Sequence, residues 1–147
     1  MPQGCTHLKL RQLTRRVGQV YDRTLSVCGL KTTQYSLLTH IVRLGPVRPG
    51  ELAQSMQMDA STLTRNLQPL VAQGWVQSGP GSDGRCRCIE VTAAGRAKRS
   101  EAQRVWKRAQ NTLNERLGFD TVVQLHALID DCLARMNDQD TLGDADE

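Results

Sequence analysis

Residues 49–95 read PGELAQSMQMDASTLTRNLQPLVAQGWVQSGPGSDGRCRCIEVTAAG, and this stretch decides the fold. It opens with a proline, which suits the first turn of a helix because the N–H there has no helical partner. After Asp59, a second run carries apolar residues at helical spacing and then reaches Gly74, a typical helix end. The apolar positions of that run are Leu63, Leu67, Leu70 and Val71. The pattern predicts two short helices joined by a turn.

The outward face of the second predicted helix carries side chains that can hydrogen-bond to phosphates and base edges but cannot build a core. They are Ser61, Thr62, Thr64, Arg65 and Gln68. A polar helix face of this kind is most often simply solvated. The segment that follows this helix indicates whether the polar face also contacts phosphates and bases.

After Gly74 the hydrophobic period drops to two, and two strand-like runs flank a turn rich in Gly, Ser, Pro and Asp. This pattern predicts a β-hairpin with Arg85 and Arg87 beside its tip. A winged helix-turn-helix pairs such a cationic hairpin with a polar-faced helix, which reads the major groove while the hairpin contacts the minor groove or the backbone. The two elements together therefore predict an interface with double-stranded DNA.

The hairpin turn and the residues after it resemble the MarR family of transcription regulators. Residues 83–85 match the acid-x-Arg pattern of that family's wing, and residues 91–95, VTAAG, match its Thr-x-x-Gly helix start. The resemblance extends over residues 8–136 and is sharpest from 50 to 95. It implies a homodimer that binds a pseudo-palindromic operator as a repressor.

In similar proteins the acid of the wing holds the arginine ready for the groove, so Asp83 joins the predicted DNA-contacting residues beside Arg85. The chain departs from the family pattern at Gly84, where a second arginine is common, and at Cys86 and Cys88. The charge of the hairpin is therefore expected to be lower than is typical.

The resemblance also implies a small-molecule effector, often aromatic or phenolic, in a cleft between the dimerisation helices and the DNA-binding part. The first two helices and the start of the long helix after residue 93 would line that cleft. Its candidate residues are His7, Arg11, Tyr35 and His40.

The charge of the chain favours a polyanionic partner. The 147 residues carry a formal charge of +4, and five of the fifteen acids fall within residues 138–147. Without that tail the chain has 19 basic against 10 acidic residues, a net charge of +9. Charge alone would suit a membrane surface equally well. With only five aromatic residues for base stacking, duplex DNA is favoured over single strands.

Other function classes find little support in the sequence. No apolar run approaches the length that spans a bilayer, and the first ten residues lack the apolar segment of a signal peptide, so we expect a cytoplasmic protein without membrane association. The chain has no phosphate-binding Gly-rich loop, nucleophile elbow or adjacent acid/base pair. We therefore expect no enzyme activity and no cofactor.

Amphipathic periodicity predicts further helices on both sides of residues 49–95. Two of them, over about 8–27 and 118–137, carry more apolar surface than one small domain can cover, so we predict that they form a two-fold dimer. Another helix is predicted to begin at a cap near Thr32 or Thr33 and to end at Gly45.

The predicted fold class is mostly α with a small β-hairpin wing, in one domain over residues 1–137. The DNA-binding winged helix takes about 31–95, a connecting helix follows over about 93–117, and residues 138–147 form an acidic tail expected to be disordered. Val47 and Arg48 are expected to supply a minor third strand, and Pro69 is expected to bend the second helix of the pair without ending it.

Cys86 and Cys88 alternate on one predicted strand, so both side chains face the same way. We interpret them as small apolar side chains, with a thiol-based redox or soft-metal sensor as the alternative. The three histidines show no metal-ligand spacing. A different class of function, a DNA-coating protein without base preference, also stays open, and competition with random DNA would separate it from a specific regulator.

Overall fold

The computed structural model describes residues 3–80, Gly84 and residues 87–143, with side chains described as far as Asn137. Six α-helices and one hairpin follow each other along these residues. The helices are α1 (Thr6–Leu25), α2 (Thr32–Leu44), α3 (Pro49–Ser55), α4 (Ala60–Ala72), α5 (Ala93–Leu117) and α6 (Phe119–Gly143), and the strands are β1 (Val76–Pro80) and β2 (Arg87–Val91). The predicted fold class, mostly α with a small hairpin, is confirmed.

The chain divides into two compact units, Met1–Ala109 and Gln110–Glu147, with the boundary inside α5. The first unit contains α1 to α4, the hairpin and the first part of α5. The second contains the end of α5 and α6. The extent of a single domain over residues 1–137 stays a prediction.

A cluster of buried apolar side chains joins α2, α3, α4 and the hairpin in the first unit. Its members are Leu37, Leu38, Ile41, Val47, Leu52, Ala53, Leu63, Leu70, Val76 and Ile89. Leu63 and Leu70 are seven residues apart, about two helical turns, so they share the inner face of α4. Full burial of a leucine side chain contributes roughly 1.5–3 kcal/mol relative to leaving it exposed, and this cluster therefore holds the two short helices against the hairpin.

The hairpin is antiparallel, and its register runs from the pair Val76 and Val91 to the pair Pro80 and Arg87. A third segment joins it at Val47, whose N–H donates to the carbonyl of Ile89 at 2.9 Å and whose carbonyl accepts from the Ile89 N–H at 2.8 Å. The predicted minor third strand is confirmed at this position.

Asp59 caps the N-terminus of α4. Its Oδ1 accepts from the backbone N–H of Thr62 at 2.7 Å and from the hydroxyl of Ser61 at 2.8 Å. These hydrogen bonds, that of the Thr62 amide first, lower the pKa of Asp59 from 3.8 to about 2. α4 stays one helix through Pro69, and Gly74 follows its end with a left-handed φ of 73°.

The start of α2 differs from the expected cap at Thr32 or Thr33. The cap residue is Lys31, whose N–H donates to Oε1 of Gln34 at 2.9 Å. The N–H of Thr32 donates to Oδ1 of Asp22 at 2.7 Å, so a carboxylate from α1 takes the place of a local hydroxyl. This contact between residues ten apart ties α2 to α1.

A network of hydrogen bonds, here called the α4–α5 junction, joins the end of α4 to the start of α5. The Thr92 hydroxyl donates to the carbonyl of Gly74 at 2.6 Å, and the Thr92 N–H donates to the carbonyl of Trp75 at 3.0 Å. The same hydroxyl accepts from the N–H of Gly95 at 3.0 Å. A Cβ on Gly95 would overlap the carbonyl oxygen of Trp75, so only glycine permits this close approach.

In the second unit, α6 continues through residues 138–143, which belong to the segment 138–147 that we expected to be a disordered acidic tail. No Gly or Pro interrupts residues 138–142, and the helix is described as far as Gly143. Residues 144–147 lie outside the described part of the chain. Within that part, no helix has both the length and the apolar character needed to cross a membrane.

We predict that Gly95→Ala destabilises the protein by about 1–3 kcal/mol, because the added Cβ forces the backbone of the α4–α5 junction apart. Gly50→Ala is the matched control, since its Cβ would meet open space within a helix. Urea unfolding at one fixed protein concentration measures both variants. Equal stability of the two would contradict the tight junction.

We predict that Asp59→Asn keeps the neutral-pH stability of the wild type, because an amide oxygen also caps a helix, but changes the dependence on pH. The folded pKa of Asp59, about 2, lies below 3.8, so its stabilising contribution is full above pH 3.8 and is lost as pH falls towards 2. Urea unfolding at a series of pH values should show this loss in the wild type only. Parallel curves for the two proteins would mean that the carboxylate does not cap α4.

Candidate functional site

One side of α4 is buried and the other is polar and exposed. Leu63 and Leu70 face the core, whereas Ser61, Thr64, Arg65 and Gln68 are exposed, and we call these four residues the α4 face. The hydroxyl of Thr64 donates to the carbonyl of Ala60 at 3.0 Å. Thr62, the fifth predicted contact residue of this helix, is half-buried and gives its N–H to the Asp59 cap. The exposed long side chains of this surface are therefore Arg65 and Gln68.

A groove of about 550 Å³ separates α4 from the hairpin. Thr64 and Gln68 line it from α4, and Arg87 lines it from β2. Leu67 and Val71 add apolar surface from α4. The structure thus brings three of the predicted DNA-contacting residues to one groove.

Asp83, Arg85 and Cys86 lie outside the described residues, and their predicted roles stay predictions. Cys88 is half-buried on β2. Among the residues that the structure does describe, no three His, Cys, Asp or Glu side chains come together as a possible metal site. The sensor role considered for Cys86 and Cys88 stays a prediction as well.

A second cavity, of about 360 Å³, lies between α1, α2 and α5 and is here called the aromatic cavity. Its lining residues are Tyr21, Thr32, Tyr35, Ser36, Thr39, His40, Arg99, Gln103 and Trp106. Two of the four candidate effector residues, Tyr35 and His40, are among them. His7 and Arg11 lie exposed near the start of α1, and neither lines this cavity.

Three aromatic rings define one side of the aromatic cavity. The ring centre of Trp106 lies 6.3 Å from that of Tyr21 and 6.0 Å from that of Tyr35, with interplanar angles of 27° and 26°. Burial raises the pKa of the Tyr21 hydroxyl above its ordinary value. Nδ1 of His40 lies 2.8 Å from the carbonyl of Ser36, so Nδ1 donates there and Nε2 is left for another partner.

The α5 residues that line the aromatic cavity were not predicted from the sequence. Arg99, Gln103 and Trp106 follow at intervals of four and three, so they lie on one face of the helix. That spacing was the available signal. The sequence did not show that Trp106 packs against Tyr35, because the two residues are far apart along the chain.

The MarR family model matches residues 29–85. Over 128 residues the chain is 30% identical to the multiple antibiotic resistance protein MarR of Salmonella typhimurium, and the match covers 83% of this chain and 89% of that protein. It is also 28% identical over 93 residues to YwoH of Bacillus subtilis, an uncharacterized HTH-type transcriptional regulator, with 63% of this chain and 68% of that protein covered.

Solved structures agree with the sequence relatives. The M. tuberculosis transcriptional regulator MosR in complex with DNA gives a TM-score of 0.70 at 33% identity, covering 88% of this chain and 98% of that one. A mutant of MarR from E. coli complexed with operator DNA gives 0.76 at 25% identity, covering 86% and 92%. Fold and family are those of transcriptional regulators rather than enzymes. The chain therefore belongs to the MarR family of winged helix-turn-helix transcriptional regulators.

Proposed function

We propose that this protein is a repressor that binds a pseudo-palindromic DNA operator as a homodimer and responds to a small molecule. The observation that carries the DNA-binding part is the α4 face, which exposes Arg65 and Gln68 beside the groove that Arg87 lines. Arginine and glutamine can each make paired hydrogen bonds to a base edge in the major groove. MosR and MarR, which this chain resembles, have been solved with DNA.

The hairpin would then add contacts to DNA that depend less on the base sequence. Arg87 is exposed on β2, and the sequence predicts Arg85 beside the hairpin tip, so both would be able to neutralise phosphates or enter a narrow minor groove. The net charge of +9 outside residues 138–147 would draw the protein to DNA of any sequence. Specificity would therefore come from the α4 face and general affinity from the hairpin.

The evidence for the proposed dimer is a set of apolar side chains that α6 leaves exposed. Ile129, Leu133 and Met136 follow at helical spacing and are 38%, 41% and 67% exposed. Apolar patches of this kind mark protein interfaces more often than free surface. A second copy is the natural occupant, because two-fold symmetry would present two α4 faces to successive major grooves.

The evidence for the proposed effector response is the aromatic cavity and its connection to α4. Arg99 and Gln103 lie about one and two helical turns beyond Gly95, which belongs to the α4–α5 junction. Between them and the junction, Lys98 donates to the carbonyl of Cys28 at 3.0 Å, and its Nζ lies 5.5 Å from the ring centre of Trp75. A ligand that shifts α5 would therefore shift the end of α4 as well.

We predict that Arg65→Ala weakens operator binding by about 1–3 kcal/mol and flattens the preference at one or two base pairs of each half-site. Arg104→Ala is the matched control, because Arg104 is an exposed arginine on α5, away from the α4 face. Titrations of operator and single-base variants measure both effects. The DNA-reading role of α4 fails if the two substitutions have the same effect.

We predict that Leu133→Asp raises the dissociation constant of the dimer by roughly 100-fold or more, because an unpaired carboxylate would be buried between the two copies. Gln124→Asp adds the same charge nine residues away, on the opposite side of α6, and should leave the dimer intact. Light scattering after gel filtration at micromolar concentration tests both. A dimer that survives Leu133→Asp would place the interface elsewhere.

A further inference from the structure

We propose that Ala60 and Thr64 form an apolar notch on α4 that reads the 5-methyl group of one thymine in each operator half-site. This inference rests on the proposed DNA-binding function and specifies how α4 distinguishes one base from another. It assigns to Thr64 a contact through its methyl group, whereas a threonine on a DNA-binding helix can also read a base through its hydroxyl.

Ala60 and Thr64 lie in the part of α4 that would meet the bases. Ala60 is the first residue of the helix, and Thr64 follows one turn later on the same face. Both residues are exposed, and both line the groove between α4 and the hairpin. Because the N-terminal residues of a recognition helix contact base edges in the major groove, we expect these two side chains to reach the bases.

The hydroxyl groups of the α4 face already donate to acceptors within the protein. The Thr64 hydroxyl donates to the carbonyl of Ala60 at 3.0 Å, and the Ser61 hydroxyl donates to Oδ1 of Asp59 at 2.8 Å. A hydroxyl has a single proton to donate, so Thr64 cannot donate to a base without breaking its bond to Ala60. Thr64 therefore offers a base either its methyl group or an accepting oxygen.

The surroundings of Thr64 favour the methyl contact. Ala60 adds a second methyl group one turn before it, and Leu67 and Val71 continue the apolar lining of the groove along α4. Among the residues that the structure places in that lining, Arg87 alone is charged. Val71 follows Thr64 by two turns on the same side of the helix and is 50% exposed. An apolar group of the DNA would gain by leaving water here, whereas a polar group without a partner would lose.

Thymine is the base that presents such an apolar group. In the major groove it carries the 5-methyl group beside its O4 acceptor, whereas cytosine presents an amino donor and the purines present no methyl group. Burial of one methyl group strengthens binding by roughly 4-fold. Two copies of α4 on a pseudo-palindrome would therefore gain roughly 15-fold from one thymine in each half-site.

The test removes only the methyl group from the DNA. Duplexes of the sequence that selection from random DNA yields are synthesised with uracil in place of one thymine at a time, and titrations with the full-length protein measure their affinities. Uracil lacks the 5-methyl group but keeps the hydrogen-bonding groups of thymine. We expect one position in each half-site where uracil weakens binding by roughly 4-fold, and roughly 15-fold when both half-sites carry it.

Variants of Thr64 identify the group that reads this position. Thr64→Ser removes the methyl group, keeps a hydroxyl that can bond to the carbonyl of Ala60, and should bind the thymine and uracil duplexes equally well. Thr64→Val removes the hydroxyl, keeps the methyl group, and should still prefer thymine by roughly 4-fold, whatever its overall affinity. Thr33→Ser is the matched control, because it removes a methyl group from an exposed threonine of α2 that does not line the groove. A thymine preference that persists in Thr64→Ser, or that is lost in Thr64→Val, would overturn the proposal.

A second modified base, 5-methylcytosine, gives an independent check, because it carries the same methyl group on a base with a different hydrogen-bonding pattern. At the position identified with uracil, the wild type should bind 5-methylcytosine roughly 4-fold more tightly than cytosine, and Thr64→Ser should bind the two equally. Equal binding of the two bases by the wild type would contradict the notch.

The outcomes also separate this proposal from the proposed function. A shared motif in which no uracil substitution weakens binding would contradict the notch and still support a sequence-specific regulator. Selection that yields no shared motif would contradict the proposed function, and the notch with it.

Discussion

The close approach of α5 to the end of α4 is the constraint on which the rest of the structure depends. The Thr92 hydroxyl bridges the carbonyl of Gly74 and the N–H of Gly95, and the backbone of Trp75 leaves no room for a side chain at Gly95. The helix that carries the exposed polar face, the first strand of the hairpin and the long helix α5 therefore meet at one point. A sequence that lost the Thr-x-x-Gly pattern could keep its helices but not this connection.

Under the proposed function, DNA recognition and ligand recognition would lie on two helices that this junction connects. The α4 face lies on the N-terminal side of the junction, and the cavity residues Arg99 and Trp106 lie on its C-terminal side. Hydrogen bonds at a junction transmit displacement because packed elements shift between discrete arrangements rather than deform continuously. A ligand that displaces α5 at the aromatic cavity would consequently displace the α4 face, which is the basis of the proposed response.

Hydrophobic periodicity predicted the helices and the hairpin well. The spacing of apolar residues in α4 and α5, for example, depends only on residues that are near each other along the chain. The helix that follows Asp59, the minor strand at Val47 and the long helix from Ala93 to Leu117 all followed from residue type and order. Contacts between distant residues did not follow. The Asp22 carboxylate at the start of α2 and the packing of Trp106 on Tyr35 depend on how helices meet.

The central claim, that a two-fold pair of α4 faces reads a specific DNA sequence, is tested most directly by selecting duplexes of random sequence on the purified protein. The account predicts enrichment of a pseudo-palindrome whose half-site centres lie about 10 bp apart, bound roughly 10³-fold or more tightly than random DNA at physiological salt. Recovery of duplexes without a shared motif, held by charge alone and released together as salt rises, would contradict it and identify a protein that coats DNA.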